Sequence, residues 1–206
     1  MFRIFLLSPA RLSGRRADIL ANPKASFDLA VRVRNEGAPI GEVFSFLSGL
    51  YFRGKLAYAR HFARPCEGTC GILVITSNRG LLSPDTIVTS EDLRLLNRVD
   101  IDCAEKRFTR PLRETAMQLA QILPDESDIV LLGSIGTKKY AEPLTEIFQQ
   151  RLHFPSDFIG RGDMSRGGLL LRCVESNNEL NYIPLVGAVR HGKRPPKLEP
   201  KRRVQL

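Results

Sequence analysis

Three short apolar runs constrain this chain more than any other feature: FRIFLLS (2–8), GILVITS (71–77) and DIVLL (128–132). Each is too short for a core helix and dense enough for a buried strand. Between them lie stretches with helical spacing. In GEVFSFLSGLYFRGKLAYARHFA (41–63), apolar residues fall at Val43, Phe46, Leu47, Leu50 and Tyr51, then Leu56 and Tyr58, with Gly49 and Gly54 bending or breaking the helix. Residues 107–123 repeat at Leu112, Ala116, Leu119, Ala120 and Leu123, and 137–152 contain a further helix whose first turn accommodates Pro143 if it starts late. Strands alternating with helices imply an α/β fold with a central, mostly parallel sheet flanked by helices. Residues 9–24 read as an irregular basic loop and 29–33 as a weak strand. LLLRCVES (169–176) and LNYIPLVGAV (180–189) read as strands joined by a turn, a C-terminal hairpin.

The chain has 206 residues, a size one hydrophobic core can serve, so a single domain over 1–189 is expected. Residues 190–206 form a proline-spaced tail that reads as flexible. The net charge is +9, and seven basic residues against Glu199 place +6 of it in that tail. Such a balance favours an anionic partner, DNA above all, and clustered basic charge gains from counterion release on a polyanion. No apolar run has the length of a membrane span and no cleavage-site pattern follows the N-terminus, so no membrane association is expected. Four cysteines read as free thiols of a reducing cytoplasm. His61, Cys66 and Cys70 lack the second ligand pair of a zinc knuckle, so neither a metal nor another cofactor is expected. No feature calls for an obligate protein partner.

In an open α/β sheet, ligands bind beyond the carboxyl ends of the strands. Three polar, basic segments leave strand ends here: Ser8 to Arg16, Ser77 to Asp85 and Gly133 to Lys139. In TSNRGLL (76–82), Asn78 and Arg79 read either as turn residues or as an amide and a guanidinium offered to a base edge and a phosphate. LLGSIGTKKY (131–140) sets Ser134, then Thr137 as a helix cap, ahead of Lys138 and Lys139, an arrangement that attracts anions. FIGRGDMSRGG (158–168) reproduces an adhesion triplet by chance; Asp163 between Arg161 and Arg166 reads either as a salt-bridged loop residue or as a carboxylate among phosphate-binding arginines. GLYFRGKL (49–56) has the spacing of a phosphate-binding loop, but Leu56 replaces the magnesium-binding hydroxyl and a helix precedes it, so a broken amphipathic helix explains it better. Phe44 and Phe158 are candidates for stacking on a base.

Taken together, FLLSPAR, GLYFRGKLAYARHF before ILVITSNRGLLSPDTI, and DIVLLGSIGTKKYAEPL before FPSDFIGRGDMSRG resemble bacterial domains related to the peroxide-stress DNA-binding proteins. Some such domains are connected with the uracil-DNA glycosylase fold, and DIVLLGSIGTKKY is similar to the strand–turn–helix before the second active-site loop of uracil-DNA glycosylases. The chain departs from that superfamily in two places. LLSPARL offers Ser8 and Arg11 but no carboxylate, and FIGRGDMSRG stands where a His-Pro-Ser loop is usual. The resemblance therefore implies a glycosylase for a modified, non-uracil base, with DNA repair or antiviral defence as its setting. The alternatives are a non-catalytic DNA-binding stress protein and an enzyme of small nucleotides.

Glycosidic hydrolysis passes through a cationic sugar and calls for a carboxylate, and the target base must leave the stack. Asp163 is the first candidate for that carboxylate. Glu42, set among apolar residues, is the second; a desolvated Glu42 would have a raised pKa and act as an acid instead. Ser8, Asn78, Phe44, Phe158 and Ser134 are the expected base-binding residues. Arg11, Arg79, Lys138, Arg161 and Arg166 are expected to hold phosphates.

Overall fold

In a computed structural model of the chain, described at all residues except 137, 190, 197 and 199–206, the apolar runs form the middle of one sheet. Strands β1 (Arg3–Leu7), β3 (Ile72–Ile75), β6 (Asp128–Leu132) and β7 (Leu152–Pro155) are parallel. Two antiparallel edge strands, β4 (Leu81–Leu82) on β3 and β8 (Tyr182–Pro184) on β7, complete the order β4-β3-β1-β6-β7-β8. Strand β1 pairs with β3 on one side and β6 on the other, with Leu7 opposite both Val74 and Leu132. The chain thus reverses its winding at β1, and the carboxyl ends of β1, β3 and β6 share one edge.

Side chains alternate across the pleat, so β1 feeds two cores. Phe5 and Leu7 pack with Val74, Val130 and Leu132 against one helical layer, while Ile4 and Leu6 pack with Ile75, Ile129 and Leu131 against the other. The first layer holds α1 (Arg15–Ala21), α2 (Asp28–Asn35), α3 (Ile40–Ser48), α4 (Leu50–Phe62) and α8 (Asp163–Ser176). The second holds α6 (Lys106–Ile122) and α7 (Ala141–Phe148). A small ribbon joins β2 (Ala38–Pro39) to β5 (Ile87–Val88), which leads into α5 (Ser90–Asn97). Thr89 and Asp92 cap α5 reciprocally: the Thr89 hydroxyl accepts the Asp92 N–H, and Asp92 accepts the Thr89 N–H at 2.9 Å. No helix among the described residues is long and apolar enough to cross a membrane.

The expected α/β sandwich of helices and parallel sheet is present. Several local expectations are corrected. Residues 29–33 lie in α2, because Leu29, Ala30 and Val33 form one buried helical face. Part of the loop expected at 9–24 is α1. LLLRCVES is not a strand but most of α8, whose Gly167, Leu170 and Cys173 face the core at helical spacing. The expected C-terminal hairpin is consequently not formed: β8 pairs with β7, formed by residues 152–155.

The two longest helices of the first layer touch through backbone. A Cβ at Gly54 of α4 would stand 2.7 Å from the Gly167 carbonyl oxygen, and one at Gly167 of α8 would stand 2.8 Å from the Tyr51 Cα. Glycine at both positions lets α8 lie directly on α4 and brings the first turn of α8 to the sheet edge.

Candidate functional site

Strand β1 ends at Ser8, whose N–H donates to the Leu132 carbonyl at 3.1 Å and so ties it to the end of β6. Over this junction lies Lys55 of α4, only 1% exposed. Its Nζ donates to the Ser8 carbonyl at 2.5 Å and lies 2.8 Å from the Ser8 hydroxyl. The ammonium also sits 4.6 Å from the Tyr51 ring centre and 4.7 Å from that of Phe52. Burial pulls the Lys55 amine down to about 7; Asp163 opposes that shift and Arg166 adds to it.

Tyr140, at the start of α7, closes the other side. Its hydroxyl accepts the Ser134 N–H at 3.0 Å and has Ser8 as a second partner. Burial raises its pKa, against the effect of those bonds. Gly133 is required here, because a Cβ would meet the Ser8 Cβ at 2.9 Å and the Tyr140 hydroxyl at 3.0 Å. Tyr51 is buried, and among the described residues its hydroxyl has no well-formed hydrogen bond, although the Arg166 guanidinium lies close enough to act on it. Desolvation raises the Tyr51 pKa.

The FIGRGDMSRGG stretch ends over this cluster. Asp163 opens α8 with a side chain 68% exposed, 3.6 Å from Arg166. Its carboxylate acts electrostatically on Lys55, Tyr51 and Tyr140 alike, which places it at the mouth of the cluster. Arg166 itself is 11% exposed; it donates to the Phe158 carbonyl at 2.9 Å and covers the Phe158 ring.

The site therefore joins Ser8, Lys55, Tyr51, Ser134, Tyr140, Asp163 and Arg166. Of the expected residues, Ser8, Ser134, Asp163 and Arg166 converge here. Arg166 braces the loop through Phe158 and Asp163, however, and is not an open phosphate clamp.

Others lie elsewhere. Glu42 is not desolvated: its side chain is 45% exposed, it is ion-paired with Arg32, and it lines a groove with Arg53, Arg60 and Asp85. Phe44 is core, packed edge-on to Phe52, and Phe158 is fully buried against Tyr51, so neither ring is free to stack on a base. Asn78 lines a second groove with Lys106, Arg107 and Pro111, its Oδ1 buried without a hydrogen-bond partner among the described residues, while Arg79 reaches Asp92 at 3.6 Å. The turn between β3 and β4 is fixed by the Thr76 hydroxyl, which donates to the Gly80 carbonyl at 2.8 Å, and it presents these two residues toward α5 and α6.

Basic residues follow the strand ends and the loop on this edge of the sheet. Arg11 follows β1 and donates to the Ser13 hydroxyl; Lys138 pairs with Glu142, and Lys139 is exposed beside it. Arg161 donates to the Asp157 and Pro196 carbonyls. Residues 191–196, at the start of the expected flexible tail, pack along this edge. The His191 ring lies 3.2 Å from the position of a Cβ on Gly136, the Lys193 carbonyl crowds Gly160, and Lys193 and Arg194 are exposed. The proposed Thr137 cap and the rest of the tail lie outside the described residues.

Sequence reasoning missed Lys55, Tyr51 and Tyr140. The signal was a lysine on an apolar helical face, three residues from Phe52 and Tyr58 and four from Tyr51 and Ala59. Cys66 and Cys70 contact Thr69 and the Ile72 carbonyl, and His61 contacts Asn177. Among the described residues, no group of histidine, cysteine or acidic side chains is arranged to hold a metal ion. No family model, curated protein or solved structure matches the chain.

Proposed function

We propose that the protein is a DNA glycosylase, a divergent relative of the uracil-DNA glycosylases, that hydrolyses the N-glycosidic bond of a modified, non-uracil base. The observation that carries this reading is the position of Asp163. An exposed carboxylate acts on a buried lysine at the reversal point of a parallel sheet, and the basic residues Arg11 and Lys138 follow the two strands that meet there. Ligands of such sheets bind at this place, and a buried lysine held there beside a carboxylate makes it a candidate functional site.

The roles follow from exposure and charge. Asp163 faces the sugar, where its negative charge stabilises the cationic transition state and orients a water for attack on C1′. The buried Tyr51 hydroxyl offers a polar group to the edge of an extruded base. Arg11, Lys138, Lys139, Arg161, Lys193 and Arg194 hold the phosphates on either side.

One observation favours the non-catalytic alternative, a DNA-binding stress protein. Phe44 and Phe158 are buried and Lys55 is sealed, so the resting cluster displays no ready base pocket. Incubation with genomic DNAs carrying normal and modified bases, scored for abasic sites, separates the two. Abasic sites on a modified DNA are the expected result. Tight binding without abasic sites on any of them would establish the alternative.

A further inference from the structure

We propose that Lys55 is an imine-forming nucleophile, and that the same site cleaves the DNA strand at an abasic deoxyribose. The inference rests on the glycosylase reading for its substrate class, an aldehyde sugar in DNA. It rests on geometry for the residue. A lysine held by a carbonyl, a hydroxyl and two aromatic faces is an expensive way to satisfy one strand end, since a neutral donor would do so without desolvating a charge. What a lysine adds is an amine that is neutral near physiological pH and nucleophilic toward carbonyl carbon.

The neighbours supply the remaining parts. When Lys55 is neutral, its N–H still donates to the Ser8 carbonyl, and its lone pair is free. The Ser8 hydroxyl, 2.8 Å away and linked to Tyr140, gives a proton path beside that lone pair. Tyr51 adds a buried hydroxyl, with the Arg166 guanidinium beside it, on the helix that carries Lys55. Asp163 stands at the mouth as a base.

The lone pair of Lys55 attacks the C1′ aldehyde carbon and the C=O pair moves to oxygen, which takes a proton through Ser8 to give a carbinolamine. A second protonation releases that oxygen as water and leaves a C=N iminium. Asp163 removes a C2′ proton, and the C–H pair passes through the enamine to form C2′=C3′ as the C3′–O bond breaks and the phosphate leaves. Water then hydrolyses the imine, returning the Lys55 amine and an unsaturated aldehyde. No oxidant or reductant is consumed. Because Lys55 is sealed at rest, the segment 159–162 must shift outward when DNA binds. Gly160, at φ 71°, and Gly162, beside which a Cβ would meet nothing within 4 Å, lie in that segment.

The groups facing the amine are Tyr51 on its own helix, Asp163 and Arg166 on α8, and on the sheet side Ser8, which is itself bonded to Tyr140. With burial holding the amine near 7, adduct formation should rise with pH through that value.

The test is incubation of the full-length protein with a duplex oligonucleotide containing one preformed abasic site, with borohydride to reduce any imine, and peptide mapping of the adduct. The expected result is a covalent protein–DNA species whose modified residue is Lys55, lost in Lys55→Met together with strand cleavage. No adduct, or an adduct mapped only to Lys138, Lys139 or Lys193, would overturn the proposal. Mapping on the unsubstituted protein decides the matter even where Lys55→Met fails to fold. The two readings fail separately: release of a modified base without an imine removes only this inference, and trapping on the preformed site without base release removes only the glycosylase.

Discussion

Lys55 should leave a signature in stability that does not depend on catalysis. Its amine is shifted from 10.5 to about 7 by burial, so between those values the unfolded chain binds the proton and the folded chain does not. Stability therefore rises with pH across this window, and below about 7 both states are protonated and the gain is absent. The full change is at most about 5 kcal/mol from this group. Denaturant unfolding at pH 6.5 and 9.5 should show the rise, and Lys55→Met should flatten it; a wild-type profile no steeper than that of Lys55→Met would show that the buried amine does not titrate in this window. Asp163 was legible in the sequence because arginines and glycines around a single carboxylate make an unusual loop. Lys55 was hidden because GLYFRGKL was weighed as a phosphate loop and then set aside. What a lysine does on an apolar face depends on the strand end above it, and sequence spacing does not reveal that partner.

Helices α4 and α8 position that lysine and that carboxylate, and their contact depends on two glycines. Gly167→Ala should destabilise by about 2 kcal/mol, because the new methyl meets the Leu50 carbonyl and the Tyr51 Cα, which are backbone and cannot turn away. A melting temperature equal to the wild type's would show that the helices separate easily and that the site is loosely held. The parallel strands were readable because FRIFLLS, GILVITS and DIVLL are short, apolar and bounded by turn residues. LLLRCVES was misread for the same reason, since a short apolar run alone does not distinguish a strand from a buried helical face. The deciding information was long-range: Gly167 and Leu170 face α4, more than a hundred residues earlier in the chain. The Thr89–Asp92 capping box that starts α5 was a local signal and was overlooked.

Across the whole molecule, charge is sorted between the two edges of the sheet. At the amino edge Arg3 bonds Asp128 and Glu179, Arg64 bonds Glu179, and the charges largely cancel. At the carboxyl edge Arg11, Lys139, Arg161, Lys193 and Arg194 form no ion pair among the described residues. Affinity for duplex DNA should therefore fall steeply with salt, with a logarithmic slope near −0.9 for each phosphate neutralised. Removal of residues 190–206, which carry +6, should reduce that slope, and an unchanged slope would take the tail out of the interface. Base excision itself is read neither by the salt slope nor by the imine. The direct measurement is single-turnover release of free base from a modified DNA by wild type, Asp163→Asn and Glu42→Gln. Wild type and Glu42→Gln should release it alike, and Asp163→Asn should be slower by about 10²- to 10⁴-fold, the usual worth of a positioned acid or base. Equal rates for Asp163→Asn and wild type, or no base released by any of the three, would contradict the account.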